Sequence, residues 1–502
     1  MSLRKNILAN YLSQFYVTLI GIVMIPVYIR YMGVEAYGLV GFFSMLQAWF
    51  MLLDMGLTPT MVRQVARFRG GAMDVLMLRR LLRALEGIFI GVAVLGVVVI
   101  IAGADSIANR WLRVEMLPKD DVVNAIMLMA IIVALRWLCG LYRGVINGFE
   151  HLVWLSWFNT AVATARFVLV IPFLLFVDTS ATSFFTYQVV VAVIEVIWLT
   201  IKVYALLPEV LERHIPWQWE PLRGVLKFSL SIAFTGAVWV LVTQTDKLIL
   251  STMLLLSDYA YFTLAVLVAS SILMLSAPIS GALLPRMTKM NAEGDEEGLV
   301  RLYRQATQLV GIIIVPSTFV LAFFPEQVLW AWTGNIVIAQ RSALVLTLYA
   351  LGNGLLALAA FPYFLQFAKG DLKLHLIGNA LFLVIFIPML VWAVNRHGMV
   401  GAGYAWIGAN LLPFFVWLPL VHRRFVKGLH ARWILQDVMP VVVLPMVLAF
   451  GLQRWVTLPQ SRSMIAMGLV AIGLGLAAAA VASSSWAREK INSRWCSQFA
   501  RG

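Results

Sequence analysis

The sequence predicts an all-α polytopic membrane protein of about fourteen transmembrane helices, with two pseudo-symmetric six-helix lobes around a central cavity and two further C-terminal helices. Three observations predict it. Of the 502 residues, 62% are hydrophobic and 12% charged, with a mean hydropathy of +0.89. An ordinary soluble domain is about half apolar and a quarter charged, so this chain needs lipid as its solvent. Apolar windows of about 20 residues, the length that crosses a bilayer as a helix, recur along nearly the whole chain. The basic residues alternate between sides. With the N-terminus inside, inside segments hold about 27 of the 38 Lys and Arg and outside loops about 9, as the positive-inside tendency requires. Both termini are therefore expected to be cytoplasmic.

Taken in order, the first six expected spans are 7–29, 36–57, 84–104, 122–142, 153–177 and 181–206. The first is about 23 residues long, more than the roughly 7–15 of a signal-peptide core, and no small-residue cleavage site follows it. Its polar residues Asn6, Asn10, Gln14 and Thr18 recur every four positions and share one helical face. The next six spans are 223–245, 256–281, 302–324, 341–367, 374–394 and 398–421; the seventh is the least apolar, with Lys227, Ser229, Ser231, Thr235 and Gln244. Spans 438–457 and 464–483 close the chain.

The opening plan returns about 224 residues on. Ser257-Asp-Tyr-Ala-Tyr-Phe262 stands where Val34-Glu-Ala-Tyr-Gly38 stood, and Gly281-Ala-Leu-Leu-Pro285 echoes Gly56-Leu-Thr-Pro59. Asn10 and Gln14 find counterparts in Ser231 and Thr235. An even number of helices per repeat means that both copies enter from one side, giving parallel repeats about an axis along the membrane normal. The expected division is a lobe at 1–206, a second at 207–425, and two extra helices with a cytoplasmic tail at 426–502. The extra pair serves either as a packing element or as part of a lateral groove.

The formal charge of +14 is spread over many short loops. No basic arm or nucleic-acid motif accompanies it, so no nucleic acid is expected as a partner. Cys139 and Cys496 sit in no metal-ligand spacing. Nothing resembles a catalytic triad, metal cluster or nucleotide-binding loop. The expectation is no cofactor, no metal and no enzymatic activity.

Several stretches resemble a known family. They are Ile25-Pro-Val-Tyr-Ile-Arg-Tyr-Met-Gly-Val-Glu-Ala-Tyr-Gly38 with Leu53-Asp-Met-Gly56, then Arg143-Gly-Val-Ile-Asn-Gly-Phe-Glu150 and Gln244-Thr-Asp-Lys-Leu-Ile249. Ala368-Lys-Gly-Asp-Leu-Lys373 and His397-Gly-Met-Val-Gly-Ala-Gly403 complete the set. Over about residues 5–425 the chain resembles the bacterial polysaccharide transporters, the O-antigen and exopolysaccharide repeat-unit flippases of the multidrug/oligosaccharidyl-lipid/polysaccharide exporter superfamily. The resemblance implies a bacterial inner-membrane protein that moves a polyprenyl-diphosphate-linked oligosaccharide to the outer leaflet by alternating access. It also implies partners beyond the bilayer and the lipid-linked glycan: a proton or sodium ion for coupling, and polysaccharide polymerase and chain-length machinery. Fourteen helices also resemble the lipid II flippases. The rivals are a cation-coupled multidrug antiporter, for which cavity carboxylates are expected, and a membrane glycosyltransferase or polymerase, which would need a large extramembrane loop or an acidic cluster.

With Lys and Arg near span ends set aside, because they can reach the interface, the ionisable residues that stand out inside expected spans are Asp54, Glu86, Arg136, Arg166 and Glu195. A charge at a bilayer centre costs roughly 2.5–3.5 kcal/mol on insertion scales, so each needs a partner or water. Guanidinium groups stay charged and offer forked donors to phosphate oxygens. Arg136 and Arg166 are therefore candidates to bind an anionic head group. Arg166 either does this or pairs with Glu195, and Glu195 has a second reading as a proton-coupling carboxylate. Asn10, Gln14, Ser231, Thr235 and Gln244 are candidate cavity-lining groups or helix-interface seals. Asp54, paired with Arg63 or Arg67, and Asp246 with Lys247 are candidate gate or helix-end residues. Glu86 is expected either to snorkel to the interface or to pair with Arg83, and Gly140, Gly144 and Gly148 to mark a close helix contact.

Overall fold

The computed structural model describes residues 3–208, 219–456 and 461–488. The side chains of Asn6, Lys227, Ser231 and Thr235 are outside this description, so the counterparts Ser231 and Thr235 of the repeat are placed only as helix positions, and Cys496 lies outside the described residues. Among the described residues the regular structure is all helical, joined by short turns, with one isolated bridge between Arg113 and Leu255. It divides into two compact units, residues 1–260 and 261–502.

The first unit opens with α1 (Leu3–Val23), α2 (Ile25–Met32) and α3 (Val34–Phe50). The first expected span is thus two helices. Pro26 sits at the start of α2, where its missing N–H breaks no bond within that helix. Gly33, at φ 87°, makes the turn into α3. A 3₁₀ turn over Met51–Asp54 leads to Met55 and Gly56, both left-handed (φ 47° and 70°), and then α4 (Leu57–Arg69). The basic stretch after the second span is therefore a helix of its own.

Four helices carry the rest of the apolar bundle: α5 (Val75–Ser106), α6 (Lys119–Gly148), α7 (Leu152–Phe167) and the short α8 (Val170–Phe176). Beyond them lie α9 (Ala181–Leu206) and α10 (Glu220–Met253). Asp74 caps α5 by accepting from the Leu76 N–H (3.0 Å), and Ser180 caps α9 through the Ser183 N–H (3.2 Å). The glycine run on α6 is the close contact its spacing predicts, and the partner is α4. A Cβ at Gly148 would stand 2.6 Å from Val65 Cβ, and one at Gly144 would stand 3.0 Å from Thr58 Cγ2. Only bare backbone lets these helices approach so closely.

The second unit takes most of α11 (Leu256–Ala292), then α12 (Glu296–Phe323), α13 (Pro325–Thr333) and α14 (Ile336–Lys369). It continues with α15 (Lys373–Leu412), α16 (Leu418–Phe425), α17 (Leu429–Arg432), α18 (Met439–Trp455) and α19 (Arg462–Ser483). Its core gathers Tyr303, Phe361, Trp433, Val441 and Leu476. The two C-terminal helices are packed into this core. Val441 of α18 fills the space over Gly311 of α12. Asp437 accepts from Arg304 (2.7 Å) and Gln308 (2.6 Å), and the Gln308 carbonyl accepts from Ser484 (2.7 Å) and the Trp486 N–H (3.1 Å).

Twelve helical stretches among the described residues are long and apolar enough to cross a membrane. One of them, residues 373–425, contains both of the expected spans 374–394 and 398–421, which join at Gly398 (φ 56°). The polar seventh span, α10, is not among the twelve. The protein is thus a multi-pass all-helical membrane protein, in line with the count of about fourteen.

Candidate functional site

Four charged residues of the first unit, Arg136, Arg143, Arg166 and Glu195, converge between α6, α7 and α9. Arg136 and Arg143 lie seven residues apart on α6, as do Gln188 and Glu195 on α9. Seven residues are two turns, or about 10 Å, along one helical face. The Arg136–Gln188 and Arg143–Glu195 pairs have the same sequence separation, 52 residues, so α6 and α9 run parallel in matched register.

The upper layer is neutral on one side. Arg136 donates to the Gln188 carbonyl oxygen at 2.6 Å and lies 5.2 Å over the Phe43 ring, a cation–π distance. The Gln188 amide in turn donates to the Arg166 backbone carbonyl (2.9 Å). In the lower layer Glu195, with no exposure at all, gives one carboxylate oxygen to Arg143 and the other to Arg166. Two guanidinium groups thus share one carboxylate, and with Arg136 beside them the cluster carries an excess of two positive charges in an apolar helical bundle. The Nε atom of each of the three arginines is buried and has no hydrogen-bond partner. Arginine forks that are one donor short of satisfaction, beside uncompensated positive charge, suit an anion with several oxygens.

Of the expected site residues, Arg136, Arg166 and Glu195 are therefore brought together. Arg143 and Gln188 join them and escaped the sequence reading. The apolar window was closed at residue 142, one position before Arg143, whereas the helix runs on to Gly148. The signal that could have found both is the matched i, i+7 spacing on the two helices.

A second polar layer follows along α9. Glu86, 5% exposed, accepts from Tyr142 (3.1 Å) and Tyr204 (2.9 Å), with Arg83 at 3.7 Å. The Arg83 partner was expected and the two tyrosines were not.

The other candidates lie apart. Asn10 and Gln14 are exposed on α1. The α1 residues that bond to α7 are Ser13, which donates to the Ser156 carbonyl (2.9 Å), and Tyr16, whose hydroxyl meets Thr164 (2.8 Å). Gln244 is half-buried, with a 3.5 Å contact to Thr243. Asp54 accepts from the N–H (3.2 Å) and hydroxyl (2.5 Å) of Thr58 at the start of α4. Arg63 is exposed, and Arg67 donates to Gln64 (3.3 Å). Asp246 is buried; the Lys247 ammonium lies 3.4 Å from it and donates to the Thr243 carbonyl at 2.7 Å. Outside the spans, Arg69 grips Glu150 through both carboxylate oxygens at 3.0 Å, and this hydrogen bonding holds the Glu150 carboxyl below its ordinary range. Among the described residues no group of three His, Cys, Asp or Glu could hold a metal ion.

Residues 3–291 match a family model described as polysaccharide biosynthesis protein. A Shigella flexneri protein named "Putative O-antigen transporter" is 20% identical over 407 residues, covering 81% of this chain and 94% of that protein. Among solved structures, the lipid II flippase MurJ in an inward closed conformation aligns with a TM-score of 0.74 at 13% identity, over 96% of this chain and 99% of that one. An inward-facing multidrug resistance MATE family transporter of the MOP superfamily aligns with a TM-score of 0.64 at 16% identity, over 83% and 96%. At such identities the likeness concerns the fold.

Proposed function

This chain belongs to the polysaccharide biosynthesis protein family, and on that premise we propose that it is a flippase of the bacterial inner membrane. It moves a polyprenyl-diphosphate-linked oligosaccharide from the cytoplasmic to the outer leaflet by alternating access of its two lobes, with both termini cytoplasmic. The sugar travels in the central cavity while the prenyl tail stays in the bilayer, and no bond is made or broken.

The observation that carries this reading is the cluster of Arg136, Arg143 and Arg166 against the single carboxylate of Glu195. Moving a diphosphate through a low-dielectric region requires fixed positive charge that stays protonated, and arginine supplies it with forked geometry. The similarity to a protein named as an O-antigen transporter supports the same assignment. A cation-coupled drug antiporter would need a carboxylate available to a cationic substrate. Here the Glu195 carboxylate is already covered by two arginines.

Gene deletion tests the proposal. The expected phenotype is loss of a surface glycan with accumulation of its lipid-linked unit, restored by the wild-type gene. Arg166→Ala is expected to fail in complementation and Arg166→Lys to restore part of export. Full export by the alanine variant at normal expression would remove Arg166 from the mechanism, and an intact surface glycan in the deletion strain would overturn the reading.

A further inference from the structure

The arginine cluster holds an anion of its own. Each Glu195 oxygen meets a different guanidinium, from Arg143 on α6 and Arg166 on α7, and the side chain is fully enclosed. Two carboxylate oxygens bridging two arginines reproduce the contact that two oxygens of one phosphate would make. Arg136, by contrast, meets no carboxylate among the described residues and keeps a neutral partner in Gln188. The site is therefore divided into two arginines that share a carboxylate and one guanidinium that contacts none.

We propose that Glu195 is a resident substitute for the substrate phosphate. It occupies Arg143 and Arg166, offsetting one of their two charges, while the site is empty and yields them when a diphosphate head group arrives; this rests on the reading of the cluster as a head-group site. The physical need for it is plain. Three unneutralised guanidinium groups in an apolar bundle would repel one another and bear the full desolvation cost of their charge. The same carboxylate limits how tightly the head group is held, because every bond the arginines give to phosphate is taken from Glu195. An incoming head group first meets Arg136, which is uncompensated, and then competes for the other two. Release follows when Glu195 recovers its partners. The three unpartnered Nε atoms supply donors that the head group can use and Glu195 does not.

The test uses the full chain in lipid nanodiscs with farnesyl diphosphate as the probe and inorganic diphosphate alongside, to separate a lipid-borne head group from a free anion. Glu195→Gln keeps the shape and removes the competing charge. It is expected to bind farnesyl diphosphate at least tenfold more tightly than the wild type, while its translocation of lipid-linked glycan slows. Glu195→Asp keeps the charge but is one methylene too short to span both arginines, so it is expected to bind about threefold more tightly. It serves as the readout should Glu195→Gln not fold. Unchanged or weaker binding in a folded Glu195→Gln, or in Glu195→Asp where the first is not recovered, overturns the proposal. If the wild type binds and Arg166→Gln loses binding while the Glu195 variants show no gain, only the substitute role fails. If no variant and no wild type binds either diphosphate, the head-group reading fails with it.

Discussion

Removing Arg166 and Glu195 separately and together measures how far the cluster acts as a unit. Glu195→Met leaves three guanidinium groups without a countercharge, and breaking a buried pair from one side costs about 3–5 kcal/mol. With three like charges left behind, the upper end of that range, about 5 kcal/mol, is expected. Arg166→Met leaves Glu195 with Arg143, and the Arg166 side chain is 17% exposed. The lower end, about 3 kcal/mol, is expected there. The double variant removes the carboxylate together with one of the guanidinium groups that its loss alone would leave uncompensated. It should therefore fall short of the sum by about 3 kcal/mol, the upper end of coupling between contacting residues, which places it level with Glu195→Met. At roughly 2–4 °C per kcal/mol for a unit of this size, the single variants should unfold about 6–12 °C and 10–20 °C below the wild type. The double variant should unfold no lower than Glu195→Met. The assay is thermal unfolding of the purified protein, followed by intrinsic fluorescence. Additive losses within about 0.5 kcal/mol would show that the two side chains do not share an interaction.

Gly148→Leu, whose Cβ would stand 2.6 Å from Val65 Cβ and 2.9 Å from the Val62 carbonyl, should cost about 1–3 kcal/mol by overpacking. Gly91→Ala, which meets nothing within 4 Å, should leave the melting temperature unchanged or slightly raised. Ser13→Ala should lower stability by about 0.6–1 kcal/mol, the usual worth of a hydrogen bond between membrane helices, whereas Asn10→Ala should not; equal losses would contradict the assignment of the α1–α7 contact. The Glu150 carboxyl, held low by Arg69, should titrate below an ordinary glutamate. Its contribution is present at neutral pH and lost as pH falls through that lowered value. Carboxyl-selective ¹³C spectra should show the midpoint moving back up in Arg69→Gln.

Membrane crossing was legible because hydrophobic length and the side bias of Lys and Arg are properties of single segments. The helix ends were less so, since polar residues continue a helix past the apolar window. Arg143 lies one residue past the expected span for that reason, although α6 carries it to Glu195. The Asn10–Gln14 stripe identified a face of α1 but not its neighbour, and the bonded residues are Ser13 and Tyr16, one and two positions away from Gln14. Asp54 was read through its charge, and the structure pairs it with the local N–H and hydroxyl of Thr58. The glycine run was legible as a close contact, but its partner α4 was not, because a stretch with three arginines reads as a loop until its buried face is seen.

Translocation in proteoliposomes tests the central claim most directly. With fluorescently marked polyprenyl-diphosphate-linked oligosaccharide, the wild type should equilibrate the lipid between leaflets. A variant carrying Arg136→Gln, Arg143→Gln and Arg166→Gln together with Glu195→Gln, so that no buried charge is left alone, should fall to the protein-free rate. Full translocation by that variant would contradict the account.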